Sequence, residues 1–420
     1  MAEASVMPAE VEKIPAHSWY ALGVLTLVYV LNFLDRVLIY FMFTPIKAEM
    51  KFTDTQLGLL GATSFAIFYT VLGIPFGRLA DRGSRKKLIA GGLALWSLFS
   101  GLTGFTHSFE TMFLCRLMVG VGEATLGPAA LSLLSDYFPA RMRATVTAVY
   151  SSAIAVGSGL ALALGGQVEG LLGWRWAFFL LGFPGLLGCL LVLSLREARR
   201  GETEREPVRY TARDWKVLFR SVPLRYHYLG YALFGLASNQ LSIWGVTFFA
   251  RVHGLDLKLI GLLGGLLSLL AGVPGTVLGG VLADRLRKRR GRGGRLFFSA
   301  ACALLSVPMW LALLFSDGAA LLLAANFFLL ALSLMWLGAA AADVHDIAGP
   351  QLRGLGVAVY FFAVNFAAYV VGALTIGRIN DALGVGTNPQ VMRYGLLICP
   401  AASLLAALLL WRGGRVLEKS

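Results

Sequence analysis

Asn32-Phe33-Leu34-Asp35-Arg36 sets an acid beside a base inside an otherwise apolar run from about Ser18 to Thr44. A run of that length matches the roughly 20 residues that cross the hydrocarbon core of a bilayer, so both charges fall at membrane depth. An ionisable group there costs at least about 2.5 kcal/mol and persists mainly where it pairs, lines a water-filled cavity or carries function. Arg116 and Glu123 lie in a second apolar run, seven residues apart. They therefore share a helix face, separated by roughly 10 Å along the axis. Desolvation favours the neutral form of Glu123 and a nearby base favours the charged form, an opposition expected of a carboxylate that exchanges protons during a working cycle. Proton-linked or substrate-linked chemistry is the first reading of these residues. The alternative is static ion pairing that fixes helix packing.

The elements that must position them follow from composition. With 57% hydrophobic residues, 14% charged and a mean hydropathy of +0.71, the chain is a polytopic membrane protein and not a soluble domain. Apolar stretches predict twelve spans, at about 18–44, 56–79, 88–106, 111–135, 143–167, 174–195, 224–250, 258–282, 296–315, 319–342, 354–377 and 390–411. The polar segment 196–223 divides them into an N-terminal six-helix bundle (1–195) and a C-terminal one (224–420). Within it, Trp215, Leu218 and Phe219 fit either a short amphipathic helix on the membrane surface or an ordinary solvated linker. The first run is too long for the core of a signal peptide and is expected to stay as an anchor.

A net charge of +14 would suggest a nucleic-acid partner in a soluble protein. Here the bases cluster in Arg78 to Lys87, Arg196 to Arg225 and Arg285 to Arg295, all between spans. Basic loops lie on the cytoplasmic side, which an even number of spans between them permits. Both termini are then expected in the cytoplasm, with no nucleic-acid partner. Cys115, Cys189, Cys302 and Cys399 all fall in apolar runs without metal spacing and read as small buried residues.

An internal repeat supports the division. Gly77-Arg78-Leu79-Ala80-Asp81-Arg82 follows the second span and Gly280-Val281-Leu282-Ala283-Asp284-Arg285 follows the eighth, each leading into a basic cluster. This pattern resembles the signature loop of the major facilitator superfamily, which implies an all-α fold of two six-helix bundles related as parallel repeats. It also implies a conformational latch at Asp81, Arg82, Asp284 and Arg285, with Asp81 set against the start of span eleven near Arg353.

Asn-x-x-Asp-Arg in span one, Arg116-x-x-x-Gly120-x-Gly122-Glu123-Ala124 in span four and Asp136-Tyr137-Phe138-Pro139 after it resemble the Spinster family within that superfamily. A bacterial member, in the inner membrane, is expected. Anion:cation symporters share the Asp-Arg pair, whereas Gly-Glu-Ala in span four points toward Spinster. The resemblance implies export or exchange of lysolipid-like or sphingoid phosphates. Span five keeps several glycines of the antiporter motif but has Ala161-Leu162 where Gly-Pro is usual, which argues against exchange by the drug-antiporter pattern.

The C-terminal half carries no acid or base deep in a span. Its centre is expected to be neutral, with Asn239, Gln240, Trp244, Asn326, Trp336, Tyr360, Asn365 and Tyr369 as candidates; the same residues also suit helix packing. Asp343-Val-His345-Asp346 falls at a span end without a fourth convergent ligand and reads as a cap or loop, so no metal is expected. None of the five His lies deep in a span, which disfavours histidine-based catalysis in the membrane, and no Walker-type phosphate loop is present. The combined expectation is a monomeric secondary transporter without a cofactor, surrounded by membrane lipids. Its substrate is an amphipathic anion, and protons are a candidate coupling ion. A proton-coupled symporter of small organic anions is the alternative.

Overall fold

Long apolar runs in a membrane must satisfy their backbone internally, and every regular element among the described residues is helical. The structure is a computed structural model, and it describes residues 14–63, 72, 75–76, 79–80, 82–139, 142–198, 216–348 and 352–419. The helical passes, numbered here as spans, begin with Ala16–Phe41 as span 1. Span 2 starts at Asp54–Gly58 and continues through Leu59–Thr63. Span 3 is Arg85–Thr103, span 4 is Phe109–Glu123 with Leu126–Tyr137, span 5 is Arg143–Leu172, and span 6 is Trp174–Gly182 with Gly185–Leu193. Spans 7 to 9 are Val222–Val252, Leu257–Leu267 with Val273–Arg290, and Gly294–Phe315. Spans 10 to 12 are Ala319–Met335 with Leu337–Ala348, Arg353–Asn365 with Ala373–Ala382, and Ile398–Lys419. Eight stretches among the described residues are long and apolar enough to cross a membrane, and one of them, Leu257–Phe315, holds both span 8 and span 9.

Local chemistry sets the boundaries. Thr53 and Gln56 form a capping box at the start of span 2, and Ser108 with Thr111 forms another at span 4. Gly173, at φ +89°, makes the turn between spans 5 and 6 in a conformation that a side chain would resist. The glycine-rich run of span 5 is a packing surface on two sides. A Cβ at Gly157 would collide with the Val30 carbonyl of span 1, and one at Gly166 would lie 2.8 Å from the Leu257 carbonyl of span 8. Small residues let helix backbones approach this closely where lipid offers no hydrophobic drive toward association.

The apolar cores are distributed unevenly along the membrane normal. Call the end that carries Arg85 to Lys87 and Arg285 to Arg295 the basic end. Near it, one cluster around Leu93, Trp96, Leu133 and Tyr150 belongs to the first six spans, and another around Tyr231, Trp336, Tyr360 and Leu410 belongs to the last six. At the opposite end a single cluster draws on both halves, with Phe41, Phe43 and Trp174 packed together with Trp244, Ile376 and Met392. Among the described residues, both halves therefore share a core only at the end away from the basic segments. π-helical turns interrupt span 2 at Leu59–Thr63, span 8 at Ser268–Gly272 and span 11 at Phe366–Gly372. Turns of this kind interrupt α-helices mostly at functional sites.

At the basic end Glu197 closes the first half. Its carboxylate accepts from the Ser84 hydroxyl, from the Arg85 and Lys86 backbone amides and from Arg85 Nε. The Arg85 guanidinium, almost fully buried, also pairs with Asp136 and donates to the Ala198 carbonyl. Burial pushes the Glu197 carboxyl up, but the bonds from Ser84, the Lys86 amide and Arg85 together hold it below the usual glutamate range. A carboxylate whose folded value is depressed stabilises above the unfolded value of about 4.3, and that contribution fades as pH falls through the folded value. Glu197→Gln should therefore remove about 1 to 3 kcal/mol at neutral pH. Thermal midpoints of purified wild type and variant should differ at pH 7 and converge as pH falls through the folded Glu197 value.

Candidate functional site

Span 1 carries Asn32, Asp35 and Arg36 into the interior because it packs mainly on span 5 and otherwise on spans 4, 6 and 7. All three side chains are buried. Successive residues on a helix diverge by about 100°, and Asp35 and Arg36 accordingly serve different neighbours. Arg36 turns to span 4, where Nη2 donates to Glu123 Oε2 at 2.7 Å and Nε donates to the same oxygen at 3.1 Å. One turn earlier, Asn32 Oδ1 accepts from Arg36 Nη2 at 3.2 Å, and the Phe33 ring lies 4.7 Å from the guanidinium carbon. Asp35 turns to span 3, accepting from the Ser100 hydroxyl at 2.7 Å.

Arg116 sits two turns before Glu123 on span 4, fully buried, and none of its three guanidinium nitrogens meets a hydrogen-bond partner among the described residues. The second carboxylate oxygen of Glu123 and the Tyr40 hydroxyl, both near enough to Arg116 to act on it electrostatically, are likewise buried without partners among the described residues. Buried polar groups are nearly always bonded, so unpartnered groups beside a buried guanidinium set this place apart as a candidate site. Two cations, two carboxylates and several neutral donors thus converge at mid-membrane, where low polarity strengthens each interaction.

Matches to known proteins give the family of this fold. The family model described as Major Facilitator Superfamily matches residues 25–373. Rat protein spinster homolog 1 (Rattus norvegicus) is 30% identical over 417 residues, covering 91% of this chain and 78% of the rat protein. The chain belongs to the Spinster family of the major facilitator superfamily. An MFS-type efflux pump from Mycolicibacterium smegmatis is 31% identical over 402 residues, 94% of this chain and 92% of the pump. A bacterial homolog of the human lysosomal transporter Spinster, crystallised in an inward-facing and unoccupied conformation, superimposes with a TM-score of 0.84 at 25% identity, covering 96% of this chain and 98% of that one. Membership makes the chain a secondary transporter that works by alternating access, with two six-helix bundles rocking about a central site.

Within this Spinster fold the neutral candidates of the second half separate into two groups. Asn239 donates to the Gly235 carbonyl and accepts from the Tyr369 hydroxyl at 3.1 Å, linking spans 7 and 11 beside the interface. Gln240 bonds the Ala368 carbonyl at the π-turn of span 11, and Trp244 packs on Phe43 of the first half. Asn365 is half-buried at the residue before that turn. Trp336 and Tyr360, by contrast, belong to the separate core of the last six spans, where the Trp336 ring stacks on Tyr231 at 5.4 Å and Tyr360 meets His227 and Tyr231. They pack that half together and do not join the central charges.

Asp81 lies outside the described residues, and Arg82 is exposed at the basic end. Asp284 accepts from Arg295 Nη2 at 2.7 Å, tying span 8 to span 9 within one half, and Arg285 is exposed. Asp343 is buried in span 10 near Arg295, while the side chains of His345 and Asp346 lie outside the described ones. Sequence reading did not single out Tyr40 or Ser100. An aromatic and a serine in apolar helices carry no signal of their own, and only their facing of Arg116 and Asp35 marks them.

Removing one member of a buried pair strands its partner, which costs about 3 to 5 kcal/mol. Arg36→Gln and Glu123→Gln should each lower the thermal midpoint of the purified protein, and the double variant should lose much less than the sum. Additive losses would show that the two side chains do not stabilise one another.

Proposed function

We propose that this Spinster-family transporter moves an amphipathic anion of the lysophospholipid or sphingoid-phosphate class. The observation that carries the reading is Arg116, a buried guanidinium without a partner among the described residues, set in a chain that also holds an apolar cavity. That cavity lies between spans 5, 7, 8 and 10, with Val37 of span 1, Leu162, Leu241, Phe249, Leu263 and Asn326 in its lining. An anionic head suits Arg36 and Arg116, and an alkyl tail suits the cavity. The apolar lining favours a lipid-like substrate over a small organic anion, which would leave that surface without an apolar partner.

Coupling follows from competition. Glu123 holds the Arg36 guanidinium that the anionic head would use, so protonation of Glu123 frees Arg36, and head and proton favour one another's binding. Asp35, held by Ser100 of span 3, is the second candidate proton carrier. Asn239 and Asn365 are read as neutral contributors from the second half. The bundles 1–195 and 224–420 are the rocking bodies, joined by the connector 196–223. The basic end is read as cytoplasmic, with both termini on that side of a bacterial inner membrane. With the shared core at the other end, the structure then faces inward, and the protein functions as a monomer.

Counterflow of labelled lysophospholipid in proteoliposomes, compared with labelled small carboxylates, tests the substrate class; flux of the carboxylates alone would overturn it. Glu123→Gln keeps the shape of the side chain and leaves Arg36 permanently free of the charged competitor. Lysolipid binding should become independent of pH, at an affinity no weaker than that of wild type in acid, while flux driven by a pH gradient is lost. Undiminished pH dependence in the variant would remove Glu123 from the coupling. Impermeant labelling of cysteines placed at Ser5, Thr203 and Ser420 in intact cells checks orientation, and reaction from outside would reverse it.

A further inference from the structure

The geometry points to Lys47, Asp54, Thr55, Arg251 and Asp381 as the outer gate of the transporter, a charge network and helix cap shared by the two halves that holds the end opposite the basic segments shut. The inward-facing orientation argued above supplies the word outer; the contacts themselves do not depend on it. Asp54 opens span 2 and is completely buried, although it lies at a helix end where water could solvate it. Lys47 of its own half donates to Oδ1 at 2.5 Å. Arg251, at the end of span 7 in the other half, donates from Nη1 to Oδ1 at 2.8 Å and to Oδ2 at 3.0 Å.

A second bond set crosses the interface in the opposite sense. Asp381, at the end of span 11, accepts from the Asp54 backbone amide at 2.8 Å, from the Thr55 amide at 2.8 Å and from the Thr55 hydroxyl at 2.6 Å. The first amides of a helix have no partners within it, and here a carboxylate from the other half supplies them. Two glycines permit the approach: a Cβ at Gly58 would lie 2.9 Å from the Ala373 carbonyl, and one at Gly377 would lie 2.6 Å from the Asp54 carbonyl. The ion pairs described at the basic end, Arg85 with Asp136 and Glu197 and Arg295 with Asp284, each stay within one half.

This combination suits a gate. Every group in it lies at a helix terminus or span end, so separation of the halves hands each bond to water instead of stranding a charge in hydrocarbon. The contact is specific when closed and inexpensive to exchange when open. Directional bonds from Asp381 also set the register of span 2 against span 11, which apolar packing alone would leave free to slide.

The full-length protein in lipid nanodiscs, its four native cysteines replaced by alanine, carries spin labels in two pairs. Glu110→Cys with Gly386→Cys reports the outer end, and Lys87→Cys with Arg289→Cys reports the basic end. Asp381→Asn should raise the long-distance population at the outer end several-fold and shift the basic-end pair to shorter distances. Gly377→Ala, which wedges the same contact without touching a charge, should do the same. Distance distributions unchanged in both variants would overturn the gate. Conversely, Thr55→Cys with Asp381→Cys, bridged by a short reducible thiosulfonate linker, should stop lysophospholipid counterflow and recover it on reduction; undiminished flux in the bridged protein would also overturn it. The distance measurement needs no substrate, so a wrong assignment of the substrate class would leave it decisive.

Discussion

A guanidinium carried to mid-membrane cannot stand alone, and much of this structure is arranged around that constraint. Arg36 is neutralised by Glu123 from a different helix, which fixes the rotation of span 1 against span 4. Asn32 and Phe33 complete its surroundings from its own helix. The consequence for packing is that span 1 must be approached closely on its other side, and Gly157 of span 5 allows this by presenting no side chain to the Val30 carbonyl. Asp35, one residue earlier, is directed to Ser100 by the same helical geometry. Charge, helix rotation and glycine placement are thus one solution to one desolvation problem.

Arg116 is the exception that gives the arrangement its use. It is as deeply buried as Arg36 but has no bonding partner among the described residues, while Glu123 is already engaged by Arg36. A transporter needs such an imbalance. If every central charge were fully paired, an incoming anion would have to break a pair before binding; with a surplus cation it meets a site already prepared. In the proposed cycle the ion pair is the adjustable element, because a proton on Glu123 changes how much of Arg36 is available.

The two halves solve different problems. The first six spans hold all the deep charges, whereas the last six form an aromatic and aliphatic body in which Trp336, Tyr231 and Tyr360 pack together. Ion pairs described at the basic end close within each half, and those across the interface gather at the opposite end around Asp54 and Asp381. Among the described residues, a single core is shared at that end and two separate cores lie at the other.

Much of this was legible in the chain itself. Twelve apolar runs, the repeated signature hexapeptide and the intramembrane positions of Asp35, Arg36, Arg116 and Glu123 follow from local composition and spacing, because a bilayer penalises charge and requires long helices regardless of tertiary detail. Partner choice did not follow. That Arg36 rather than Arg116 takes Glu123, although Arg116 shares its helix face, is decided by how spans 1 and 4 are rotated against each other, a relation between residues 87 positions apart. Trp336 and Tyr360 illustrate the same limit, since an aromatic residue in an apolar helix has no sequence mark that separates a cavity wall from a packing core. Asp54 and Asp381 read in the sequence as ordinary acids at span ends. Only the tertiary structure brings that carboxylate and that helix terminus, 327 residues apart, within hydrogen-bonding distance, and the closeness comes from two glycines whose missing side chains let span 2 and span 11 touch.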